Sequence, residues 1–220
     1  MSKFEILYED KHIICVVKPY GVMSQGNENV HSLCDCIKEY LTDKGERGDV
    51  FVVHRLDKTT GGVMVYAKTK EAAAKLSALV AENKLHKTYL AVVCGKPTKD
   101  SDTLTDLLYH DKQKNKTFVV KRERKGVKEA KLSYETLCEK EVDKQVVTVV
   151  KVKLYTGRTH QIRVQFASRK HPLVGDRKYG STIAGDNIAL WSHSLCFSHP
   201  VTKENVEVSA LPTDRIFDMK

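Results

Sequence analysis

No stretch of the 220-residue chain reaches the roughly 18 consecutive apolar residues that a membrane-spanning helix requires. The opening residues, Met1-Ser2-Lys3-Phe4-Glu5, lack the apolar core of a secretory leader. Both absences argue against a membrane-embedded or exported protein and set the expectation of a cytoplasmic one. Zinc-knuckle spacing is also missing. The six cysteines include Cys34-x-Cys36, one residue short of the usual pair, and no second pair partners it. Cys15 and Cys94 lie inside apolar runs, so free buried thiols are expected instead of disulfides. No internal repeat and no low-complexity linker divides the chain, which predicts one domain over residues 1–220.

What the chain does have is positive charge. Lysine and arginine number 37 against 28 aspartates and glutamates, a formal charge of +9. That excess favours a polyanionic partner, either nucleic acid or an anionic membrane surface. Hydrophobic residues at 41% and charged residues at 30% place the chain among globular proteins.

Strand-like runs predominate. Phe4–Asp10 alternates, Ile13–Val17 is continuously apolar, and Lys18-Pro19-Tyr20-Gly21 supplies turn chemistry after it. Leu33, Ile37 and Leu41 share one face of a predicted helix over 32–41. Residues 50–53 and 63–67 read as buried strands. Thr69 caps a second helix whose inner face is Ala72, Ala73, Leu76, Leu79 and Val80. Residues 88–93 return to strand. Residues 96–131 hold Pro97, many lysines and the run Lys121-Arg122-Glu123-Arg124-Lys125, and are expected to form a cationic loop region. Residues 131–138 and 145–154 suggest a hairpin, 159–168 a helix, and 188–191, 195–197 and 206–208 three further strands. Strands in neighbouring runs, not in strict alternation with helices, predict an α+β fold with a mainly antiparallel or mixed sheet.

Two polar clusters could carry chemistry. His54-Arg55-Leu56-Asp57-Lys58-Thr59-Thr60-Gly61-Gly62 sits between two strands. A carboxylate beside Arg and Lys stays ionised, and an ionised carboxylate in a closed site can act as nucleophile or base. The glycine pair permits a tight turn and close approach of a ligand. The same pattern also suits a carboxylate that merely caps a turn through Thr59 or Thr60. The second cluster places Arg158, His160 and Arg163 around a helix start, a position that suits phosphate but equally a solvated basic helix end. A metal-dependent hydrolase built on His54, Asp57, His160 and His171 is a competing chemistry without a dense ligand motif.

These clusters match a known family. HRLDKTTGGVMVYAK at 54–68 and LYTGRTHQIRV at 154–164 resemble the two long signatures of the RluA-type pseudouridine synthases. HPLVGDRKYG at 171–180, LCFSHPVT at 195–202, ILYEDKHIICVVKPYGVMS at 6–24 and KTYLAVV at 87–93 resemble further blocks in the same order. The resemblance implies isomerisation of uridine to pseudouridine in RNA, ribosomal or transfer, without metal or organic cofactor. It implies that Asp57 is the catalytic aspartate. Arg55 matches the residue that helps extrude the target base, a step that chemistry on a stacked base requires. Tyr89 matches the tyrosine that stacks on the uracil, and Arg163 the basic residue that pairs with the aspartate. His54, Arg158 and His160 are expected on the substrate side. Glycine at 61, Gln165 and Trp191-Ser192 depart from the usual serine, histidine and His-Ala, and bear on substrate detail. Family relatives often carry a preceding RNA-binding domain. The catalytic resemblance begins by residue 6, so RNA is expected to be gripped by the catalytic domain itself, with 121–128 as an extra contact; a monomer is the simplest expectation. A catalytically inactive RNA-binding protein of the same fold is the alternative. Trp191 is expected in the core.

Overall fold

The computed structural model describes residues 4–26 and 30–219. They form two compact units. One comprises the chain up to Lys87 together with Ser192–Pro212, and the other Thr88–Trp191 with the C-terminal segment from Thr213.

In the first unit the strand order is β1 (Glu5–Glu9), β2 (Ile13–Lys18), β4 (Gly61–Ala67) and β10 (Leu190–Ser198). The two-residue β3 (Phe51–Val52) pairs with β4, and β11 (Asn205–Ser209) pairs with β10. Strands β1–β2, β2–β4 and β10–β11 are antiparallel. Strand β4 is buried at every position, as a strand covered on both faces must be. Residues Ile13, Cys15, Val63 and Val65 enter one apolar cluster with Ala72 and Leu76 of α2 (Lys70–Ala81), Leu195 and Phe197. Their alternates Ile14, Val16, Met64 and Tyr66 point to the opposite face and are also wholly buried. The Thr69 hydroxyl accepts the Ala72 amide at 3.1 Å and caps α2 as the sequence predicts. Helix α1 (Leu33–Asp43) starts from a capping box between Ser32 and Asp35.

In the second unit the order is β5 (His86–Cys94), β9 (Gln145–Leu154), β8 (Val127–Val142), β6 (Ser101–Asp111) and β7 (Lys116–Val120). The ladders β6–β7, β6–β8 and β8–β9 are antiparallel. Asp143 and Lys144 both adopt left-handed φ, 49° and 58°, in the two-residue turn between β8 and β9. Helix α3 (Gln161–Ala167) contacts β6 and β7. The α+β class expected from the sequence is the one that forms.

The cationic loop expected over 96–131 is corrected: β6, β7 and the start of β8 occupy most of it. Leu104, Leu108 and Ala130 are buried, while Thr103, Thr105, Glu129 and Lys131 between them face solvent. The strands are half-buried, and outward Leu107, Phe118 and Val120 break the alternation. The separate strands read at 188–191 and 195–197 are one strand, β10. The expected buried strand at 50–53 shortens to β3, whose two residues are half-buried. Trp191 is buried, as expected, and all six cysteines are unbridged.

Candidate active site

The Asp57 loop runs from β3 to β4 in the first unit, and its neighbours fix it by main-chain contacts. Ser24 Oγ accepts the Leu56 amide and donates to the Leu56 carbonyl, each at 3.0 Å. Tyr66 in turn donates to the Ser24 carbonyl at 2.8 Å. The Lys58 carbonyl accepts the Gly21 amide at 2.9 Å. Lys18 is wholly buried, and its ammonium donates to the carbonyls of Pro19, Val22 and Lys58 at 2.9, 2.7 and 3.3 Å. Three carbonyls match its three donors, which a buried ammonium requires. Burial pushes its pKa down to about 8, against the opposing pull of the Asp57 charge, so it remains a cation at neutral pH. A turn closed by the Thr60 amide on the Asp57 carbonyl, 3.0 Å, completes the loop. Asp57 is half-buried and Arg55 exposed.

Gly62 explains the second glycine of the loop. Its φ is +112°, and a Cβ there would lie 2.2 Å from the Ser192 carbonyl oxygen. The close approach that the sequence assigned to a ligand is therefore made, at Gly62, by the backbone of β10.

His54 lies beneath the loop, 7% exposed, and its Nε2 accepts the Val65 amide at 3.2 Å. The ring is neutral, with its proton on Nδ1. Burial holds its pKa well below the ordinary imidazole range, and the Lys87 charge adds to the effect. Lys87 is itself pushed down to about 8 by burial. The unfolded chain protonates this histidine near pH 6.5 while the folded chain does not. Stability therefore rises with pH through that region and is lost as pH falls below it. We expect the wild type to lose about 2 kcal/mol more than His54→Gln between pH 8 and pH 5, read by urea unfolding. Equal losses would show that His54 is not the titrating group.

The second unit holds Tyr89, Arg158, His160 and Arg163. Tyr89 is buried on β5. Arg163, on the first turn of α3, forks onto Asp176 with bonds of 2.7 and 2.9 Å. Its guanidinium lies over the Tyr179 ring, 5.1 Å from the centroid. Tyr179 Oη accepts the Thr117 amide at 2.8 Å and meets His160 Nδ1 at 2.9 Å. His160 takes a left-handed φ of 54° at the cap of α3 and packs edge-on against His110. Arg158 is exposed, and its Nε donates to the Glu129 carbonyl. Gln165, where histidine is usual, is wholly buried and donates to Asp106 at 2.7 Å, a carboxylate it shares with Arg169.

So His54, Arg55 and Asp57 come together on one loop. Arg158, His160 and Arg163 come together around one helix start. Lys18, Ser24 and Tyr66 beneath the first group, and Tyr179 within the second, were not singled out from the sequence. A lysine directly after a buried strand, at Lys18, was the available signal. Among the described residues no group of three or more His, Cys, Asp and Glu side chains could hold a metal ion. No helix among them is long and apolar enough to cross a membrane.

Comparison with known proteins places the chain in a family. A family model described as RNA pseudouridylate synthase matches residues 12–168. An uncharacterized RNA pseudouridine synthase of Aquifex aeolicus is 37% identical over 90% of this chain and 66% of its own length. YhcT of Bacillus subtilis, described in the same words, is 32% identical over 97% and 70%. The ribosomal large subunit pseudouridine synthase D of Nitrosomonas europaea is 37% identical over 81% of this chain but 50% of its own. The chain thus spans about half to seven-tenths of the length of these relatives. In fold it superposes on human RNA pseudouridylate synthase domain containing 1 with a TM-score of 0.80. That match is 23% identical and covers 96% of this chain and 84% of that one. The human domain containing 4 gives 0.79, at 22% identity over 97% and 90%.

Proposed function

The chain belongs to the RNA pseudouridylate synthase family, and we propose that it isomerises specific uridines of ribosomal or transfer RNA to pseudouridine, with Asp57 as the catalytic carboxylate. The reaction breaks the N1–C1′ bond, joins C5 to C1′, releases the C5 proton to solvent and places a proton on N1, so product and substrate are isomers. The observation that carries the reading is the construction of the Asp57 loop. Its flanking residues Leu56 and Lys58 are pinned through their main chains by Ser24, Gly21 and a buried lysine. Spending a buried ammonium and a buried serine on a surface loop is reasonable where the loop must hold one side chain in place.

Tyr89 and Arg163 are the other two catalytic residues, in the roles the resemblance gives them. A planar aromatic side chain suits a base taken out of its helix. Arg163 presents a guanidinium whose orientation is fixed by the Asp176 fork and the Tyr179 ring beneath it. Arg55, exposed beside Asp57, helps extrude the target nucleotide. Arg158 and His160 bear on the RNA, and His54 acts on it through the loop it supports. The basic residues of 121–128, mostly exposed, add phosphate contacts. Residues 1–220 act as one catalytic domain, monomeric and cytoplasmic, and the reaction draws on no cofactor.

Release of label from C5 of uridine tests the reading, with unmodified ribosomal and transfer RNA supplied separately. The Nitrosomonas relative's name favours ribosomal RNA as the first substrate. Wild-type release, abolished by Asp57→Ala, is the expected result. No release from either RNA, with salt-sensitive binding retained, would replace the reading by that of an inactive RNA-binding protein.

A further inference from the structure

The register of the second unit brings a set of aromatic and cationic side chains onto one solvent-facing sheet surface. On β8 and β9, Lys131 lies opposite Tyr155, and Ser133 opposite Lys153. Tyr155 is 38% exposed, and both lysine ammoniums approach its ring, at 5.5 and 5.7 Å from the centroid. Its hydroxyl meets Ser133 Oγ at 3.2 Å, so the ring is laid along the sheet.

The same face continues across the ladder. Thr105 of β6 lies opposite Lys131, and Thr103 opposite Ser133. Four residues along β6 from Thr105, Tyr109 faces Phe118 of β7. Each of these rings again carries a cation: Arg124 stands 4.7 Å from the Tyr109 centroid and Lys116 stands 5.8 Å from that of Phe118. The opposite face of these strands holds the buried Leu104, Leu108, Ala130 and Leu132. Acidic residues on the outer face are Glu129, Asp111 and Glu135, of which Glu135 pairs with Lys151 at 3.3 Å.

We propose that this outer sheet face is a second RNA-binding surface, on which Tyr155 stacks an unpaired base and Lys131 and Lys153 take the flanking phosphates. The proposal rests on the reading of the chain as an RNA-modifying enzyme, and it adds a subsite outside the Asp57 loop and the Arg163 cluster. Three observations carry it. An exposed ring held flat by a hydroxyl bond offers its face at little entropic cost. The ammoniums sit near the outer limit of a cation–π contact, so they can leave the ring for a phosphate when a base arrives. Around Tyr155 the face carries Thr103, Thr105 and Ser133, hydroxyls that suit phosphate and sugar, while Leu107, Val120 and Val127 lie toward Tyr109 and Phe118. Sheets that bind single-stranded RNA work in this way, with aromatic side chains on strands as stacking platforms.

The test is binding of a fluorescein-labelled single-stranded RNA, a twelve-nucleotide oligouridylate, measured by anisotropy over a salt series with the full chain. Tyr155→Ala weakens binding roughly 5- to 150-fold, the span of one lost base stack. Tyr155→Phe keeps the ring and stays within about twofold of wild type. Lys131→Gln with Lys153→Gln lowers the slope of log K against log salt by about 1.4, two phosphates at the single-strand value. This pair supplies an independent reading if Tyr155→Ala does not fold. Wild-type binding with Tyr155→Ala unchanged, or an unaltered salt slope in the lysine pair, overturns the proposal. So does a Tyr155 effect on phosphatidylglycerol vesicles that is absent on RNA. C5 label release, assayed on the same preparations, reads the enzyme assignment separately: wild-type release with a Tyr155-independent affinity discards this surface alone.

Discussion

Replacing Asp57 by alanine is expected to lower C5 label release roughly 10,000-fold while RNA affinity stays within about threefold of wild type, the pattern of a residue used in the transition state and not in binding. The loop should survive the change. Its fixed points are main-chain groups: the Leu56 amide and carbonyl on Ser24, and the Lys58 carbonyl on Gly21 and Lys18. The Asp57 carbonyl, retained in alanine, still closes the turn with Thr60. Thermal unfolding should therefore move by only a few degrees, and a folded, binding, inactive protein is the expected product. One side effect is predictable in sign. The Asp57 charge supports the buried Lys18 ammonium, whose pKa burial has already pushed down to about 8. Removing that charge lowers it further. Retained turnover in a clean Asp57→Ala preparation would remove Asp57 from the chemistry. Loss of binding together with turnover would make it a loop-former.

The parts of this protein that are legible without coordinates are those whose physics is local. Helix α2 is readable because Thr69 caps it and its apolar residues recur at helical spacing. Strand β2 is readable because burial on both faces makes it a continuous apolar run. The β6–β7 hairpin is opaque for the opposite reason. Its outward residues mix hydroxyls and charges with Leu107, Phe118 and Val120, and its strand character depends on β8, whose register places Thr103 opposite Ser133 and Tyr109 opposite Val127. In the candidate site, Asp57 and Arg163 stand out through their surrounding motifs. Lys18 does not, because the three carbonyls that make its burial tolerable come from a turn and from a loop 40 residues away. Asp176 lies 13 residues past Arg163, and only the fold brings it onto the guanidinium.

That Arg163–Asp176 fork sets the second large effect. The side chains are 5% and 1% exposed, so both charges have left water. Asp176→Ala removes the two bonds, 2.7 and 2.9 Å, that fork the buried guanidinium beside the Tyr179 ring. Breaking one side of a buried pair costs about 3–5 kcal/mol, which in a domain of this size lowers the melting temperature by about 6–20 °C. Label release should fall with it, since Arg163 loses the contact that orients it. Stability and chemistry can then be separated by removing both charges. Arg163→Met with Asp176→Leu exchanges the fork for apolar packing of similar volume, and such exchanges recover most of the lost stability. The double variant should melt within a few degrees of wild type and remain inactive on RNA. Recovery of turnover in that variant would mean that the fork serves the fold alone. A melting temperature as low as that of Asp176→Ala would mean that the cost lies in shape and not in the broken ion pair.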